Sequence, residues 1–414
     1  MKIRRESSES ALTSLRNIRP IIAAISRTLN LRFQAWQINW LRGDKKVKKV
    51  LHIVWNAKFG GIEKLVYDLV KAQNQEGTVQ AEILVAKPEG EYLQQFLSLN
   101  TSVHTLNLSS GLSMNAASFR KAYSLFKRAD CLHFHFFHPV LCYLALFTSA
   151  KVVFTEHGNF GIGRKARLSD KVVVGLKKRF LKHPRIFITY NSESTARFAE
   201  KIYQLNAPTQ SRVIHNGLDF SSFTNTRIQQ EEAASLHELT IRLKGRFVLG
   251  TSSRFAPVKR IDKLIRAFHK IQDKEGLALL LIGDGTLMPE LQALVKDLGL
   301  QDYVVFTGYV ESCHNFQSLM NLSIYPSEFE TFGLAALESL ALGIPALAYT
   351  NSGGIAEILR GLEPQDVVED EEGLIKRIEY YQHKHEGQVE RQARIRYARQ
   401  FSIEGMAKKL ETIY

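Results

Sequence analysis

Two glutamates, Glu330 and Glu338, flank the start of a short apolar segment and could bind one polar ligand together. Thr331 is a suitable N-cap and Gly343 suits a C-cap, so the sequence predicts a helix with Glu338 about two turns inside it. The first turn of such a helix has N–H groups without helical partners and the positive end of the dipole, which favour a phosphate. The segment could therefore bind phosphate through amides and sugar hydroxyls through carboxylates. A strand–helix unit with two surface glutamates is the alternative, since this spacing is a loose pattern.

Two cations, Arg254 and Lys259, follow a predicted strand in the second half of the chain. On a strand-to-helix loop they could clamp a diphosphate, with arginine as a planar fork and lysine as a point charge. Solvated surface charge is the alternative, because most lysines and arginines lie in solvent. In the first half, Gly60 and Gly61 also stand between a strand and a helix, where glycines let the backbone approach a ligand. An ordinary tight turn is the alternative there.

Histidines stand at the ends of two predicted strands of the first half: His133 lies on one strand, His135 just past its end, and His157 at the end of the next. Because open parallel sheets bind ligands at the carboxyl ends of their strands, these rings could face a ligand. Two histidines on one face could also share a metal ion, but no third ligand with zinc spacing follows, so we expect no metal site. A buried histidine with satisfied hydrogen bonds is the alternative for each ring.

Strands alternate with helices in two separate runs, a pattern typical of parallel sheets that are covered on both faces. The first run occupies residues 47–218 and the second residues 219–395, with a polar segment where the second begins. We therefore predict an α/β protein of two doubly wound, Rossmann-like domains that face each other across a ligand-binding cleft. Residues 396–414 contain a terminal amphipathic helix, which we expect to pack back on the first domain.

The chain has 414 residues and a formal net charge of +14, so its surface should carry basic patches. Such patches could meet nucleic acid, an anionic membrane or a phosphorylated substrate. Nucleic acid is the weakest of these, because the sequence has no zinc-finger spacing, basic zipper or RNA-recognition signature. The three cysteines form no Cys-x-x-Cys pair, which favours a reducing compartment. No secretory signal is recognisable, and no apolar run reaches the roughly 20 residues of a spanning helix, so we expect a cytoplasmic protein.

Residues 1–46 differ in pattern from the rest of the chain. Apolar and aromatic residues recur there at three- and four-residue steps, and arginines stand between them. A basic amphipathic helix of this kind suits the surface of an anionic bilayer. A helix that packs on the following domain, or a partly disordered arm, is the alternative.

Two common nucleotide sites are absent from the sequence. No strand-to-helix turn carries Gly-x-Gly-x-x-Gly with an acidic residue about 20 positions later, which argues against a nicotinamide cofactor. The motif Gly-x-x-x-x-Gly-Lys-Ser/Thr is absent as well, which argues against a phosphate loop of the ATPase kind. We therefore expect no bound cofactor.

Taken in order, these segments resemble the retaining nucleotide-sugar glycosyltransferases of family 4, which have the GT-B fold. The resemblance covers roughly residues 50–414, is more specific in the second half and has no counterpart for residues 1–46. The matching landmarks are Gly60-Gly61-Ile62-Glu63, His133-Phe134-His135, Glu156-His157-Gly158, His215-Asn216-Gly217, Ser253-Arg254 with Lys259, Gly283-Asp284-Gly285, Glu330-Thr331-Phe332-Gly333 with Glu338, and Ser352-Gly353-Gly354.

The resemblance implies a role for each of these positions. Arg254 and Lys259 would bind the donor diphosphate and stabilise it as it leaves. Glu338 would hold the ribose hydroxyls, and Glu330 the donor sugar. The implied catalytic residues are His135, Arg254, Lys259 and Glu330. The other implied donor-binding positions are Gly60, Gly61, Phe332, Gly333, Leu334 and Glu338, with His157 and Asn216 on the acceptor or sugar side.

The resemblance also implies the chemistry. Such enzymes need no metal, and the nucleotide sugar, UDP- or GDP-linked, is a substrate. The acceptor would attack on the face from which the phosphate leaves, so that the anomeric configuration is retained. Two positions depart from the family, which often has glycine where this chain has Ser253 and Arg260, and Arg260 adds charge beside the two cations.

The expected protein is thus a retaining glycosyltransferase that moves a sugar onto a lipid-linked or surface-polysaccharide acceptor, such as lipopolysaccharide, capsule or exopolysaccharide. It would be peripheral on the inner face of the cytoplasmic membrane. A nucleotide-sugar epimerase and a non-catalytic sugar-nucleotide-binding protein are the alternatives. An epimerase would convert the donor without an acceptor, and a binding protein would turn nothing over. Nothing in the sequence indicates the base, the sugar, the acceptor, the linkage or the oligomeric state.

Overall fold

A computed structural model describes residues 47–414 apart from 59, 110–113, 159–167, 206–209, 224–229 and 385. The predicted amphipathic extension of residues 1–46 lies outside the described residues. Within those ranges, no helix is long and apolar enough to cross a membrane.

The first domain is built on a parallel sheet of seven strands in the order β3-β2-β1-β4-β5-β6-β7. The chain builds outward from β1 on one side and then returns to its other side, so the order reverses between β1 and β4, where open sheets bind ligands. Residues 50–54 of β1 are all buried, as expected of a strand covered on both faces. The strands are β1 Lys48–Val54, β2 Val79–Val85, β3 Val103–Thr105, β4 Cys131–Phe134, β5 Lys151–Glu156, β6 Ile186–Tyr190 and β7 Ser211–Val213.

Six helices of this domain lie between its strands. Local sequence sets several of their ends: the side chain of Ser192, for example, accepts a hydrogen bond from the N–H of Thr195 at the start of one helix. Gly77 ends another with a φ of +68°, the left-handed conformation that glycine adopts without strain. The helices are α1 Gly61–Glu76, α2 Tyr92–Ser98, α3 Ala116–Arg128, α4 Pro139–Ala145, α5 Leu168–Leu181 and α6 Glu193–Tyr203.

The second domain repeats this design with a parallel sheet of six strands in the order β10-β9-β8-β11-β12-β13. Every residue of β9 is buried, so this strand is covered on both faces. The strands are β8 Phe247–Ser252, β9 Leu277–Ile282, β10 Val304–Gly308, β11 Leu322–Tyr325, β12 Ala346–Tyr349 and β13 Val367–Val368. The prediction of two doubly wound α/β domains is confirmed.

The helices that follow β7 belong to the second domain, except for the last. They include short ones, such as the five residues of α10, and they alternate with the strands as the hydrophobic pattern predicted. The helices are α7 Gln230–Arg242, α8 Ile261–Lys270, α9 Met288–Asp297, α10 Cys313–Gln317, α11 Leu334–Ala341, α12 Gly354–Arg360, α13 Glu371–His383, α14 Gln388–Ala398 and α15 Ile403–Glu411.

The last helix, α15, packs on the first domain. Its buried residues Met406 and Leu410 share one core cluster with Leu65 and Leu69 of α1. The chain reaches it through a tight crossing, where a Cβ on Gly217 would lie 2.4 Å from the Cα of Ile403. The chain therefore passes between the domains twice at one place, which ties the two sheets together below the cleft.

Candidate active site

A cavity of about 270 Å³ lies between the two domains at the carboxyl ends of both sheets. From the first domain it is lined by Gly61 at the start of α1 and by side chains that follow β5, β6 and β7. From the second it is lined by Lys259, Glu330 and the residues that lead into α11. Strand ends of two open sheets thus converge on one space, as the strand–helix alternation predicted.

Lys259 and Glu330 form an ion pair at one wall of this cavity. Lys259 belongs to the short 3-10 helix Pro257–Lys259 after β8, and Glu330 belongs to the loop after β11. Ser327 donates its hydroxyl to Oε1 of Glu330 over 3.1 Å. A cation suited to a diphosphate and a carboxylate suited to sugar hydroxyls are therefore adjacent.

The backbone of Glu330 is held by the glycines that precede α12. The N–H of Gly354 donates to the Glu330 carbonyl over 2.7 Å, and the Glu330 N–H donates to the carbonyl of Ser352 over 3.2 Å. A Cβ on Gly353, whose φ is +64°, would lie 2.4 Å from the same Glu330 oxygen. Only glycine allows this close approach, which explains the Ser-Gly-Gly motif seen in the sequence.

Helix α11 begins at Leu334, later than predicted, and Thr331 is not its N-cap. Gly333 takes that position with a φ of +101°, and a Cβ there would lie 2.2 Å from Cγ1 of Ile355. The Thr331 carbonyl instead accepts hydrogen bonds from the hydroxyls of Ser192, over 2.5 Å, and Thr195, over 3.0 Å. The capping prediction was wrong because a tight glycine turn and a contact with the other domain both use this segment. Phe332, Gly333 and Leu334 nevertheless line the cavity at the start of this helix.

Glu338 is half-buried on α11 and lies only one turn inside the helix, because the helix starts late. It is not part of the cavity lining. Burial raises the pKa of its carboxyl group, and the positive charge of Lys64 opposes this. Lys64 belongs to α1 of the first domain and is paired with Asp68 over 3.1 Å. The Glu338 carboxyl group therefore interacts electrostatically with the first domain.

Arg254 is exposed on the loop after β8 and is not part of the cavity lining. It makes no ion pair with any residue that the structure describes. Its neighbour Arg260 has a φ of +49°, the left-handed conformation for which glycine is favoured. The Arg260 guanidinium contacts Asp262 at 3.0 Å and also pairs with Glu328. The chain thus keeps the backbone shape that glycine would have and holds the added charge in two ion pairs.

Gly61 is the first residue of α1 and lines the cavity, whereas Gly60 is exposed and does not. A Cβ on Gly61 would lie 3.9 Å from Cδ1 of Leu334, the first residue of α11. The N-terminal ends of the two helices therefore face each other across the cavity. Two sets of free amides and two positive dipole ends in one cleft suit a ligand with two phosphates.

The predicted histidines form a line that runs from the cleft into the core. His157 lines the cavity, and its Nε2 lies 3.0 Å from Nδ1 of His135. His135 is only 3% exposed and does not line the cavity itself. Its Nε2 lies 3.0 Å from Nδ1 of His52, and Nε2 of His52 lies 2.9 Å from the side-chain oxygen of Gln73. The sequence did not single out His52 or Gln73, although His52 lies on the buried strand β1.

His157 is anchored by the end of β5. The preceding Glu156 pairs with Lys177 of α5 over 2.5 Å, and it accepts a hydrogen bond from the N–H of Gly158 over 3.0 Å. The Lys177 ammonium also lies over the ring of Phe154, 5.1 Å from its centre. The Glu156 side chain thus links the turn that carries His157 to α5.

Burial keeps these histidines neutral. It lowers the pKa of His52 to about 4, against a hydrogen bond to Gln73, and that of His157 to about 3. The pKa values of His133 and His135 are lowered well below the ordinary value, mainly by burial. Near neutral pH each ring therefore has one N–H donor and one acceptor nitrogen.

Ring nitrogens of His52, His133 and His135 lie within 4.8 Å of one another, a spacing that could hold a metal ion. These rings already have other partners, however. His133 contacts the hydroxyls of Tyr414 at 2.8 Å and Thr155 at 2.6 Å, and the other two rings bond to each other. We therefore interpret this cluster as a hydrogen-bond network and derive no metal chemistry from it.

Four polar side chains in the cavity wall have a buried oxygen without a hydrogen-bond partner among the described residues. They belong to Asn191, Asn216, Thr251 and Ser253, and the first three residues are 1%, 5% and 1% exposed. Buried polar atoms are almost always hydrogen-bonded, so oxygens without partners at a cavity wall favour a polar ligand. Asn216 was predicted to lie on this side, whereas Asn191 and Thr251 were missed. Their position at the ends of β6 and β8 was the available signal.

Two family profiles match this chain one after the other. The profile described as Glycosyltransferase Family 4 matches residues 59–222, and that described as Glycosyl transferases group 1 matches residues 238–401. Together they take in most of the chain, and each corresponds to one of the two domains.

Individual relatives match this chain at low sequence identity. N-acetyl-alpha-D-glucosaminyl L-malate synthase of Bacillus anthracis is 28% identical over 56% of this chain and 59% of its own length. A Campylobacter jejuni enzyme, N-acetylgalactosamine-N,N'-diacetylbacillosaminyl-diphospho-undecaprenol 4-alpha-N-acetylgalactosaminyltransferase, is 26% identical over 37% of this chain and 38% of its own. The chain thus matches less than two thirds of either relative.

The fold agrees over a longer range. The crystal structure of Anabaena HepE in complex with UDP and glucose superimposes with a TM-score of 0.69 over 88% of this chain and 99% of that chain. At 19% sequence identity, this similarity concerns the fold alone. With both domains matched by their profiles and joined in the order the motifs predicted, the chain belongs to the group 1 glycosyltransferases of family 4.

Proposed function

We propose that this protein transfers a sugar from a nucleoside-diphosphate sugar to a glycan or lipid-linked acceptor. One observation carries the proposal: the Lys259–Glu330 pair and the facing starts of α1 and α11 share a single cavity. The ammonium and the two helix ends suit a diphosphate, and the carboxylate suits sugar hydroxyls.

In this proposal Lys259, assisted by Arg254 from the loop above, stabilises the negative charge that develops on the leaving diphosphate. The N–H groups of Phe332, Gly333 and Leu334 bind its oxygens. Glu330 holds the donor sugar, and Glu338 binds the ribose hydroxyls deeper on α11.

The bond between the anomeric carbon and the diphosphate oxygen breaks on the face where the acceptor hydroxyl approaches. The new bond forms to the acceptor oxygen, and the leaving diphosphate takes the acceptor proton. The configuration at the anomeric carbon is therefore retained. Because the cation and helix ends provide positive charge, the step as proposed uses no metal ion.

The acceptor we propose is a lipid-linked or surface-polysaccharide glycan on the cytoplasmic side of the membrane. The name of the Campylobacter jejuni relative, which includes a diphospho-undecaprenol acceptor, supports this choice. The basic amphipathic residues 1–46 would hold the protein at the membrane surface, near such an acceptor.

The test is a mass-spectrometric screen of UDP- and GDP-sugars for hydrolysis by the purified full-length protein. UDP-glucose comes first, since a neighbour of the same fold was crystallised with UDP and glucose. We expect one donor to be cleaved to the nucleoside diphosphate and free sugar, and the Lys259→Gln variant to lose this activity. Isomerisation of a donor would instead favour an epimerase. Binding of donors without turnover, across a panel of acceptors, would favour a non-catalytic protein.

A further inference from the structure

The line of histidines from the cleft to Gln73 has a direction. Gln73 Oε1 contacts Nε2 of His52, Nδ1 of His52 contacts Nε2 of His135, and Nδ1 of His135 contacts Nε2 of His157, at 2.9, 3.0 and 3.0 Å. Each contact joins two nitrogens or a nitrogen and an oxygen, so one proton must lie in each. Because each neutral ring has a single N–H, the choice made at one end determines every proton along the line.

Gln73 makes that choice at the inner end. It is fully buried on α1, and its carbonyl oxygen can only accept, so Nε2 of His52 must donate. In the structure, the other end of the amide, its side-chain nitrogen, lies 3.4 Å from the hydroxyl of Tyr414. With His52 donating from Nε2, its Nδ1 accepts from His135, and Nδ1 of His135 accepts from His157.

A second branch agrees with this assignment. If the Tyr414 hydroxyl accepts from Gln73, it donates to Nδ1 of His133 over 2.8 Å. His133 then donates from Nε2 to Thr155 over 2.6 Å, and Thr155 to Thr189 over 2.6 Å. One amide therefore orients both branches without leaving a donor facing a donor.

At the outer end of the line, Nε2–H of His157 donates to Nδ1 of His135. Nδ1 of His157 is left with a lone pair, has no hydrogen bond to any residue that the structure describes, and belongs to a ring that lines the cavity. An imidazole nitrogen of this kind accepts a hydrogen bond from a hydroxyl group. If every proton along the line were on the other nitrogen of its ring, Nδ1 of His157 would be a donor instead.

We propose that Gln73 and His52 are positioning residues, which hold His135 and His157 in the Nε2–H tautomer so that Nδ1 of His157 accepts a hydrogen bond from a substrate hydroxyl. This proposal rests on the proposed function for the identity of that hydroxyl, on the donor sugar or on the acceptor. The tautomers themselves are properties of the protein without substrate. They can therefore be tested separately.

The first experiment measures tautomers by ¹⁵N NMR of the full-length protein labelled in its histidines, near neutral pH and without substrate. Signals are assigned by single histidine-to-glutamine variants. We expect Nε2–H tautomers for His52, His135 and His157. In Gln73→Met, a substitution of similar volume, the inner acceptor is lost, and leaving Nε2–H of His52 unpaired is unfavourable. We therefore expect the three rings to shift towards the Nδ1–H tautomer.

The matched control is Asn74→Leu, at the next position of the same helix. Asn74 bonds to both backbone groups of Ala81 on β2, over 2.9 and 3.0 Å, and has no hydrogen bond to a histidine among the described residues. This variant should lose stability yet keep the wild-type tautomers. An Nδ1–H tautomer at His157 in the wild type, or unchanged tautomers in Gln73→Met, would overturn the proposal.

The second experiment measures kinetics with the donor identified by the screen. We expect Gln73→Met to lower kcat/KM about tenfold, the effect of one net hydrogen bond, while the Kd for UDP or GDP alone stays unchanged. A loss in both hydrolysis and transfer assigns the hydroxyl to the donor sugar, and a loss in transfer alone assigns it to the acceptor. Wild-type kcat/KM in both reactions would overturn the substrate contact. If no donor is turned over by the wild type, the proposed function fails, and the NMR result still decides the tautomers.

Discussion

Gly61 of the first domain and Leu334 of the second face each other across the cleft, with a Cβ on Gly61 only 3.9 Å from Cδ1 of Leu334. Each residue is the first of its helix, so two helix starts point into one cavity. The gap between the two helix starts is narrow because Gly61 has no side chain. Residues of both domains therefore line the same cavity.

Filling this gap should weaken donor binding. Gly61→Val places a branched side chain between the two helix starts, so we expect the Kd for UDP or GDP to rise at least about tenfold, measured by calorimetry. Gly175→Val is the control, because Gly175 is exposed on α5 and a Cβ there meets nothing within 4 Å. Its nucleotide Kd should equal that of the wild type. Equal affinities in all three proteins would contradict a diphosphate site at the helix starts.

Removing the cleft cation should remove the reaction while the fold remains. We expect Lys259→Gln to lower kcat/KM for donor hydrolysis by roughly 100-fold, because its charge would stabilise the leaving diphosphate. The control is Lys270→Gln, which breaks the exposed Lys270–Glu371 pair of α8 and α13, and exposed pairs contribute about 0–1 kcal/mol to stability. Rates within twofold of the wild type for both variants would refute the role of Lys259.

Replacing Arg260 by glycine should change stability little. A left-handed residue other than glycine costs about 1–2 kcal/mol, and Arg260→Gly removes that strain. It also removes two ion pairs of limited value and adds unfolded-state freedom. We therefore expect the free energy of unfolding in urea to change by less than about 1 kcal/mol.

Gly283→Ala serves as the contrast, because Gly283 follows β9 and contacts the loop after β8 at Ser253. Gly283 has a φ of +129°, and a Cβ there would lie 2.0 Å from the carbonyl oxygen of Ser253. We expect a loss of about 3 kcal/mol, since neither the conformation nor the contact can be relieved without moving the loop. A large loss in Arg260→Gly with a small one in Gly283→Ala would contradict this account of the loop.

The buried histidines should make the protein lose stability at a higher pH than the pH at which its carboxylates become protonated. Burial lowers the pKa of His52 to about 4, whereas the unfolded chain has the ordinary value of 6.5. Between these two pH values the unfolded state binds more protons than the folded state. The contribution of His52 to the free energy of unfolding is therefore fully present above pH 6.5 and is lost as the pH drops from 6.5 towards 4. A shift of this size is worth about 3 kcal/mol at most for one ring.

Urea unfolding across pH 4.5–7.5 measures this slope. We expect His52→Gln to have a smaller slope than the wild type, because one buried titrating group is gone. His269→Gln removes an exposed histidine of α8 and should leave the slope unchanged. The same slope in wild type and His52→Gln would mean that His52 does not titrate as stated.

The amphipathic segment makes a separate prediction about membranes. We expect the full-length protein to sediment with anionic vesicles in a salt-sensitive way, since each Lys or Arg near such a surface adds about 1 kcal/mol. A protein that lacks residues 1–46 should lose this binding. Vesicles of neutral lipid are the control and should retain neither protein. Equal sedimentation of both proteins with anionic vesicles would rule out the segment as the anchor.

Much of the architecture could be predicted because its signals are local. Short runs of apolar residues such as Leu277–Ile282 indicate strands covered on both faces, and their alternation with helices indicates parallel sheets. The helix that follows β11 was predictable for the same reason, since the apolar run from Leu334 to Ala341 is a local signal.

The predicted Thr331 cap failed because long-range contacts decided that turn. Nothing near Thr331 in sequence indicates that Ser192 and Thr195 of the other domain would bond to its carbonyl. Local sequence patterns also do not indicate that Ile355 leaves no room for a side chain at Gly333. Tertiary packing therefore overrode an acceptable local capping signal.

By itself, the sequence determined which chemistry was available: cations, carboxylates, imidazoles and glycines at strand and helix ends, where backbone geometry must expose them. Only the tertiary structure decided which of these groups meet. It brought Lys259 to Glu330 and set His135 behind His157 at the end of a line that begins at Gln73. The physical reason is that exposure at a strand end follows from local hydrogen bonding. Contact between side chains far apart in the chain depends on how two sheets pack across a cleft.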